Sequence, residues 1–336
     1  MNYKTILFVY PSLFTFVRRD VEILKKHYKI VSLHATKNIP KTIFKLVFNI
    51  KNTDLVFVWF AGWHAFLSVL FASLFRKKSI VTIGGYDAAY VPEISYGVFI
   101  SWWRGLLAKF VYKHSSKILV VDKSLKNDIL RNTNFHIEKK IVVVSTGYDY
   151  EKYKPKGNKD KSLAITVGNV TRSVVKRKGF ETFVKVAKHL PDINFALIGR
   201  HTDDSINSLK SIATSNIKFT NFISDDELLE WYQRAAVYCQ LSRYEGLPNA
   251  LCEAMLCECV PVGTRYCGIQ TAIGETGFYT SYNDLKATAD AIKKALASPE
   301  KGKMARERII SMFSIKEREK RLIKIISKLT KKGEGK

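Results

Sequence analysis

The stretch Val237-Tyr-Cys-Gln-Leu241-Ser-Arg-Tyr-Glu245-Gly-Leu-Pro-Asn-Ala-Leu-Cys-Glu253-Ala-Met255 changes character twice. Residues 237–241 form a run of strand length, apolar except for Gln240. A polar segment follows, and Pro248 then precedes a run of helix-forming residues. Proline suits a first helical turn, where its missing N–H costs nothing. Strand, tight loop and helix are the repeating unit of a buried parallel sheet. In such sheets ligands bind beyond the carboxyl ends of strands, against helix N-termini, so the chemistry of this chain is sought in the loop at 242–249.

The same rhythm runs outward in both directions. Short apolar runs at 5–10, 30–34, 55–60, 80–83, 118–121 and 141–144 predict strands in the first half. Runs at 163–167, 194–198, 217–219, 237–241 and 260–263 predict strands in the second. Helical patterns lie between them. The helix at 225–234 opens with a capping box, Ser224 with Glu227, which fixes its start. Near-continuous apolar strands alternating with helices imply parallel sheets buried on both faces. Two such series in one chain of 336 residues predict an α/β protein of two doubly wound, Rossmann-like domains. The polar segment 150–161, with Pro155 and Gly157, reads as the linker. We therefore expect domains at 1–150 and 151–312, a final helix at 313–330 striped by Leu322, Ile325, Ile326 and Leu329, and a frayed tail at 331–336.

Two constellations carry chemistry. The first strand of the second half ends at Gly168, and 169–179 reads as a loop carrying Arg172, Lys176, Arg177 and Lys178 before a helix from about Phe180. Cations beside a helix N-terminus form a site for phosphate. The second is the opening stretch itself. Gly246 permits close approach to the backbone, the backbone from Gly246 through Leu247, Pro248 and Asn249 marks a helix start with exposed amides at its non-proline residues, and Glu253 lies one turn further on. Carboxylates such as Glu245 and Glu253 can accept hydrogen bonds from sugar hydroxyls. Cations for a diphosphate and carboxylates for hydroxyls together suit a nucleotide sugar.

With these residues in view, the chain resembles the family-4 retaining glycosyltransferases of the GT-B fold. Glu245 and Glu253 match that family's Glu-x7-Glu motif in context. Gly168, Lys178-Gly179 and Gly199 match its nucleotide-domain opening, Thr146-Gly147-Tyr148-Asp149 resembles its hinge, and Phe313-Ser314 precedes its last helix. The resemblance implies two domains facing across a cleft, with the C-terminal helix crossing back to the first. It further implies transfer of a hexosyl group from a UDP- or GDP-sugar to a glycan or lipid-linked glycan, with retention of configuration. The lack of an Asp-x-Asp pair, with a basic loop in its stead, predicts transfer without metal or cofactor. Carried over residue by residue, Arg172 and Lys178 neutralise the diphosphate, with Arg177 or Lys176 as substitutes for Arg172. Glu253 holds the ribose. Glu245 with the backbone of residues 246–249 holds the transferred sugar. The first half departs from the family: Pro11 to Phe16 stand where a glycine pair is usual, and Gly84 takes the place of a histidine. Asp87 is the nearest polar candidate there, acting as a base or touching substrate, and His64 is a second acceptor-side candidate.

Composition narrows the alternatives. The formal charge of +25 is shared evenly, +13 over residues 1–150 and +12 over 151–336. Such a field attracts phosphate-bearing molecules, anionic lipid or nucleic acid. No nucleic-acid motif is present, and a dispersed charge leaves the glutamates without a purpose on that reading. No Gly-x-Gly-x-x-Gly follows the first strand, which argues against a nicotinamide dehydrogenase. An inactive sugar-binding relative and a nucleotide-sugar epimerase remain as alternatives. The five cysteines form no Cys-x-x-Cys pair, so no zinc site is expected; reduced thiols suit the cytoplasm. Residues 55–75 carry no charge but divide into strand, Gly62 turn and helix rather than one membrane span. The basic and aromatic stretches at 41–51 and 94–114 suggest contact with an anionic membrane, on the inner face of the cell membrane.

Overall fold

In a computed structural model of the chain, residues 4–330 are described; the tail at 331–336 lies outside them. The first six strands are β1 (Thr5–Tyr10), β2 (Lys29–His34), β3 (Leu55–Trp59), β4 (Lys78–Ile83), β5 (Lys117–Val120) and β6 (Ile141–Val143), in one sheet of order β2-β1-β3-β4-β5-β6. The next six are β7 (Asp160–Val167), β8 (Asn194–Ile198), β9 (Ile217–Phe219), β10 (Ala235–Gln240), β11 (Val260–Thr264) and β12 (Phe278–Thr280). They form a second sheet of order β12-β11-β10-β7-β8-β9. Every adjacent pair is parallel.

The central strands explain the apolar runs. All five residues of β3 are buried, as are Ile6 to Val9 of β1, because helices cover both faces of a parallel sheet. The uncharged segment 55–75 is β3 followed, after a turn, by the helix Trp63–Leu74. No helix among the described residues is long and apolar enough to cross a membrane.

The chain divides into two compact units. One contains residues to Gly147 together with the helix Ile315–Thr330; the other runs Tyr148–Ser314. Expectation set these joints at 150/151 and 312/313. Tyr148 explains the shift: it is buried and its N–H donates to the Phe313 carbonyl at 2.8 Å, so it belongs to the second unit.

The final helix returns to the first unit and is fixed there by a buried ion pair. Arg318 donates from Nε and Nη2 to the two oxygens of Asp20, at 2.5 and 2.6 Å, and from Nη1 to the carbonyls of Val144 and Ser145, both at 2.8 Å. Trp59 Nε1 also donates to Asp20, at 2.9 Å. A buried pair is tolerated only when its hydrogen bonds are satisfied in this way. Leu322 and Ile326 of the expected stripe are fully buried.

Candidate functional site

The site is built where β7, β8 and β10 end in the second unit. After β7 comes Gly168, whose N–H donates to the Ile198 carbonyl. Gly199 has φ +151°, and a Cβ there would lie 2.3 Å from the Gly168 carbonyl oxygen. Only glycine allows these two strand ends to approach so closely. A Cβ on Gly168 would in turn lie 2.8 Å from Cδ and Cε of Lys178, so the lysine stem rests on the bare glycine backbone.

The segment 169–179 is not a simple loop. It contains the helix Arg172–Lys178, capped by Thr171, whose side chain accepts from the Val174 N–H, and ended by Gly179 in the left-handed conformation. The next helix, Phe180–Ala187, follows directly. The cations therefore sit in helical turns rather than spread along a loop, and this decides which of them reach the site. Arg172 is in the first turn; its side chain is 81% exposed and lies 3.4 Å from Asp204. Lys176 is exposed. Arg177 and Lys178 are in the last turn, with side chains 15% and 14% exposed, and both reach Glu245, at 2.6 and 3.4 Å. The Arg177 carbonyl also accepts from the Arg243 N–H at 2.7 Å, tying the helix end to the loop after β10.

Glu245 is the hub of this cluster. Besides the two cations, its Oε1 accepts from Ser242 Oγ at 3.1 Å and Gln240 Nε2 at 3.3 Å. Burial pushes its carboxyl up, but Arg177 and Lys178 more than offset that and hold it below the usual range. Burial pulls Lys178 below the usual lysine range; Glu245 opposes this and Arg177 reinforces it. Pro248 caps the helix Asn249–Leu256, whose first-turn amides have no intrahelical acceptors. Gly268 packs so closely on this loop that a Cβ would meet the Gly246 carbonyl. Glu253 is buried in that helix, and Asn249 Oδ1 is buried without a hydrogen-bond partner. One end of one sheet thus gathers Gly168, Lys178, Gly199, Glu245, Gly246, Leu247, Pro248, Asn249 and Glu253, with Arg177 in the position reasoned for Arg172. Together they offer cations, the amides of a helix start and two carboxylates.

The acceptor-side candidates lie in the first unit. Asp87 is buried, and its two oxygens accept from the amides of Gly84 at 3.1 Å, Gly85 at 2.9 Å and Ala61 at 3.1 Å. Burial raises its pKa, against the pull of these amides. Its carboxylate organises the loops after β3 and β4. His64 is buried, with Nε2 2.8 Å from the Trp59 carbonyl, and burial lowers its pKa. Both side chains are committed to the backbone around them.

Comparison with known proteins bears on the fold and the class of protein. Residues 161–298 match the family model described as Glycosyl transferases group 1. Over 286 residues the chain is 27% identical to the capsular polysaccharide biosynthesis glycosyltransferase CapM of Staphylococcus aureus, covering 78% of this chain and 73% of that one. Among solved structures, Anabaena HepE in complex with UDP and glucose superposes with a TM-score of 0.80 at 14% identity, over 97% of this chain and 100% of that one. Sucrose-phosphate synthase of Thermosynechococcus elongatus gives 0.76 at 16% identity, over 97% and 99%. The chain is a glycosyltransferase built on two Rossmann-like domains, the GT-B architecture.

Proposed function

We propose that the second unit binds a nucleoside-diphosphate sugar, UDP- or GDP-linked, and that the sugar passes to a glycan or lipid-linked glycan with retention of configuration. The observation that carries this reading is the Arg177–Glu245–Lys178 cluster beside the start of the helix Asn249–Leu256. In the free protein the two cations neutralise Glu245. A diphosphate arriving at the helix start offers them a second anion. Lys178 and Arg177 then stabilise the charge that grows on the departing phosphate, and Glu245 is freed toward the sugar hydroxyls. Preorganised electrostatic donors of this kind are typically the largest single contribution to such a rate. Glu253, one turn into the helix, takes the ribose.

No carboxylate is assigned to the reacting carbon. A double displacement needs one there, so on this reading the donor's own phosphate helps to remove the acceptor proton. The chain contains no Asp-x-Asp pair, and its protein cations take the role of a divalent ion. The test is transfer from the preferred donor, followed by proton NMR in saturating EDTA. An axial donor sugar should give an axial product at an undiminished rate. Inverted product, or a rate restored only by manganese or magnesium, overturns this mechanism.

Peripheral attachment to an anionic membrane belongs to the same reading. The helices Ile39–Lys51, Trp63–Leu74 and Trp102–His114 pack side by side. They expose Phe44 (73%), Phe48 (64%), Leu74 (67%) and Trp102 (77%), with Lys41, Lys45, Lys109 and Lys113 on the same helices. Exposed rings beside lysines suit the headgroup boundary of a bilayer.

A further inference from the structure

The first unit holds a cavity of about 480 Å³ whose wall is formed chiefly by Phe14, Phe60, Trp63, Tyr86, Trp103 and Arg104. Its floor depends on an unusual pair. Phe60, just after β3, has φ +68°, a conformation that bulky side chains rarely adopt. Its ring lies against Gly84: a Cβ at 84 would meet Phe60 Cε1 at 2.6 Å. Phe14 and Phe16 hold the ring edge-on, each at 6.1 Å between centroids. The absence of a side chain at 84 therefore makes room for Phe60 and gives the cavity an aromatic floor.

The polar groups of the cavity are mostly spent. Asp87 lines it, but both its oxygens serve backbone amides, and the nearby His64 faces the Trp59 carbonyl. A sugar ring inside would leave hydroxyls without partners, which weakens binding. Arg104 is the exception. It is exposed, donates from Nη1 to Tyr86 Oη at 3.1 Å, and lies 5.1 Å from the Trp103 ring centroid. A guanidinium has five N–H donors in a fork that fits phosphate, so most remain for a ligand.

We propose that this cavity takes the apolar chain of a lipid phosphate, an isoprenoid or alkyl phosphate ester, with the chain on Phe60, Trp63 and Trp103 and the phosphate on Arg104. The proposal deepens the reading above, since the ligand is then the anchor of the acceptor, and it rests on that reading for its role in transfer. It commits to a single lipid-phosphate molecule, not to a bilayer surface.

The test is titration of the full chain with monomeric farnesyl phosphate, followed by tryptophan fluorescence from Trp63 and Trp103. Farnesol, inorganic phosphate, a soluble maltooligosaccharide and phosphatidylglycerol vesicles are run in parallel, and UDP and GDP binding is measured by calorimetry on every variant. Farnesyl phosphate should bind saturably and farnesol about tenfold more weakly, the size of one charge-assisted contact. Inorganic phosphate should not bind. Arg104→Gln should bring farnesyl phosphate to the affinity of farnesol and leave farnesol unchanged. Gly84→Ala should weaken both by displacing Phe60, while nucleotide binding stays as in wild type and shows the fold intact. Equal affinity for farnesol and farnesyl phosphate, binding that survives Arg104→Gln, response only to vesicles, or preference for the oligosaccharide would each overturn the proposal. Should the wild type bind farnesyl phosphate as stated but no nucleotide, the donor reading fails and the cavity assignment stands.

Discussion

Replacing Arg177 by Gln and, separately, Arg172 by Gln asks which cation serves the diphosphate. The two residues are five apart in one short helix, yet their surroundings differ sharply. Arg177 Nη1 lies 2.6 Å from Glu245, with both side chains 15% exposed. A hydrogen bond between charged groups contributes about 1.5–3 kcal/mol. Glu245 would keep Ser242, Gln240 and Lys178, so the lower part of that range applies, about 2 kcal/mol. In a unit of this size that is roughly 4–8 °C in melting temperature. Arg172 lies 3.4 Å from Asp204 in solvent, the two side chains 81% and 74% exposed. Such a pair contributes about 0–1 kcal/mol, so the melting shift should be the smaller of the two. For turnover the contrast is larger: loss of one electrostatic donor typically costs about 10²–10³. The assays are differential scanning fluorimetry and initial rates of nucleoside-diphosphate release with the preferred donor. Arg177→Gln should lose stability and at least two orders of magnitude in turnover, and Arg172→Gln should stay within about twofold of wild type. The reverse pattern, with Arg172→Gln crippled and Arg177→Gln nearly intact, would refute the assignment.

Three further outcomes follow from the same geometry. Glu253→Ala should raise KM for the donor about tenfold with kcat nearly unchanged, because ribose contacts are made equally before and during transfer; a fall in kcat alone contradicts the ribose role. The folded-state pKa of Glu245 is lowered, so its contribution is fully present above the unfolded value of about 4.3 and fades as pH falls through the folded value. Urea unfolding at pH 7, 5, 4 and 3 should therefore show wild type more stable than Glu245→Gln at the first two values, with the gap closing at the last two; a constant gap contradicts the cluster. Co-sedimentation should occur with anionic but not neutral liposomes and weaken with salt, at about 1 kcal/mol per Lys or Arg near the surface; equal recovery in both supernatants removes the membrane attachment.

Much of this architecture is legible in the amino acids, for reasons that differ by element. The buried strands stand out because every residue of β3 is apolar, and the capping box of Ser224 and Glu227 forms as its spacing requires. β12 escapes the reading because it has three residues, two of them half-buried. The helix Arg172–Lys178 reads as a loop because its only apolar residues, Val174 and Val175, are adjacent and β-branched and make no helical stripe. Thr171 and Gly179, an N-cap and a left-handed C-cap, were the available signals. Without the helix the choice among Arg172, Lys176 and Arg177 stays open, since periodicity decides which cation turns toward Glu245. The glycines after β7 and β8 are readable because the close approach of the two strand ends demands them, whereas Glu245 and Glu253 stand out by their spacing and resemblance rather than by any backbone demand. The commitments of Asp87 to three amides and of Gly84 to the Phe60 ring are not readable. Two of the Asp87 bonds, to Gly84 and Gly85, are a local turn, but its bond to Ala61 and the Gly84–Phe60 contact join the loops after β3 and β4, more than twenty residues apart, and no local pattern encodes such a contact.

The most direct test of the central claim is calorimetric titration of UDP and GDP into the wild-type chain and into Lys178→Ala. The account predicts saturable one-to-one binding of one nucleotide by the wild type. It predicts at least tenfold weaker binding by Lys178→Ala, since a charged contact to phosphate contributes about 1.5–3 kcal/mol. Absence of binding by either nucleotide, or equal affinity in both proteins, would contradict a donor site built on Lys178, Arg177 and Glu245.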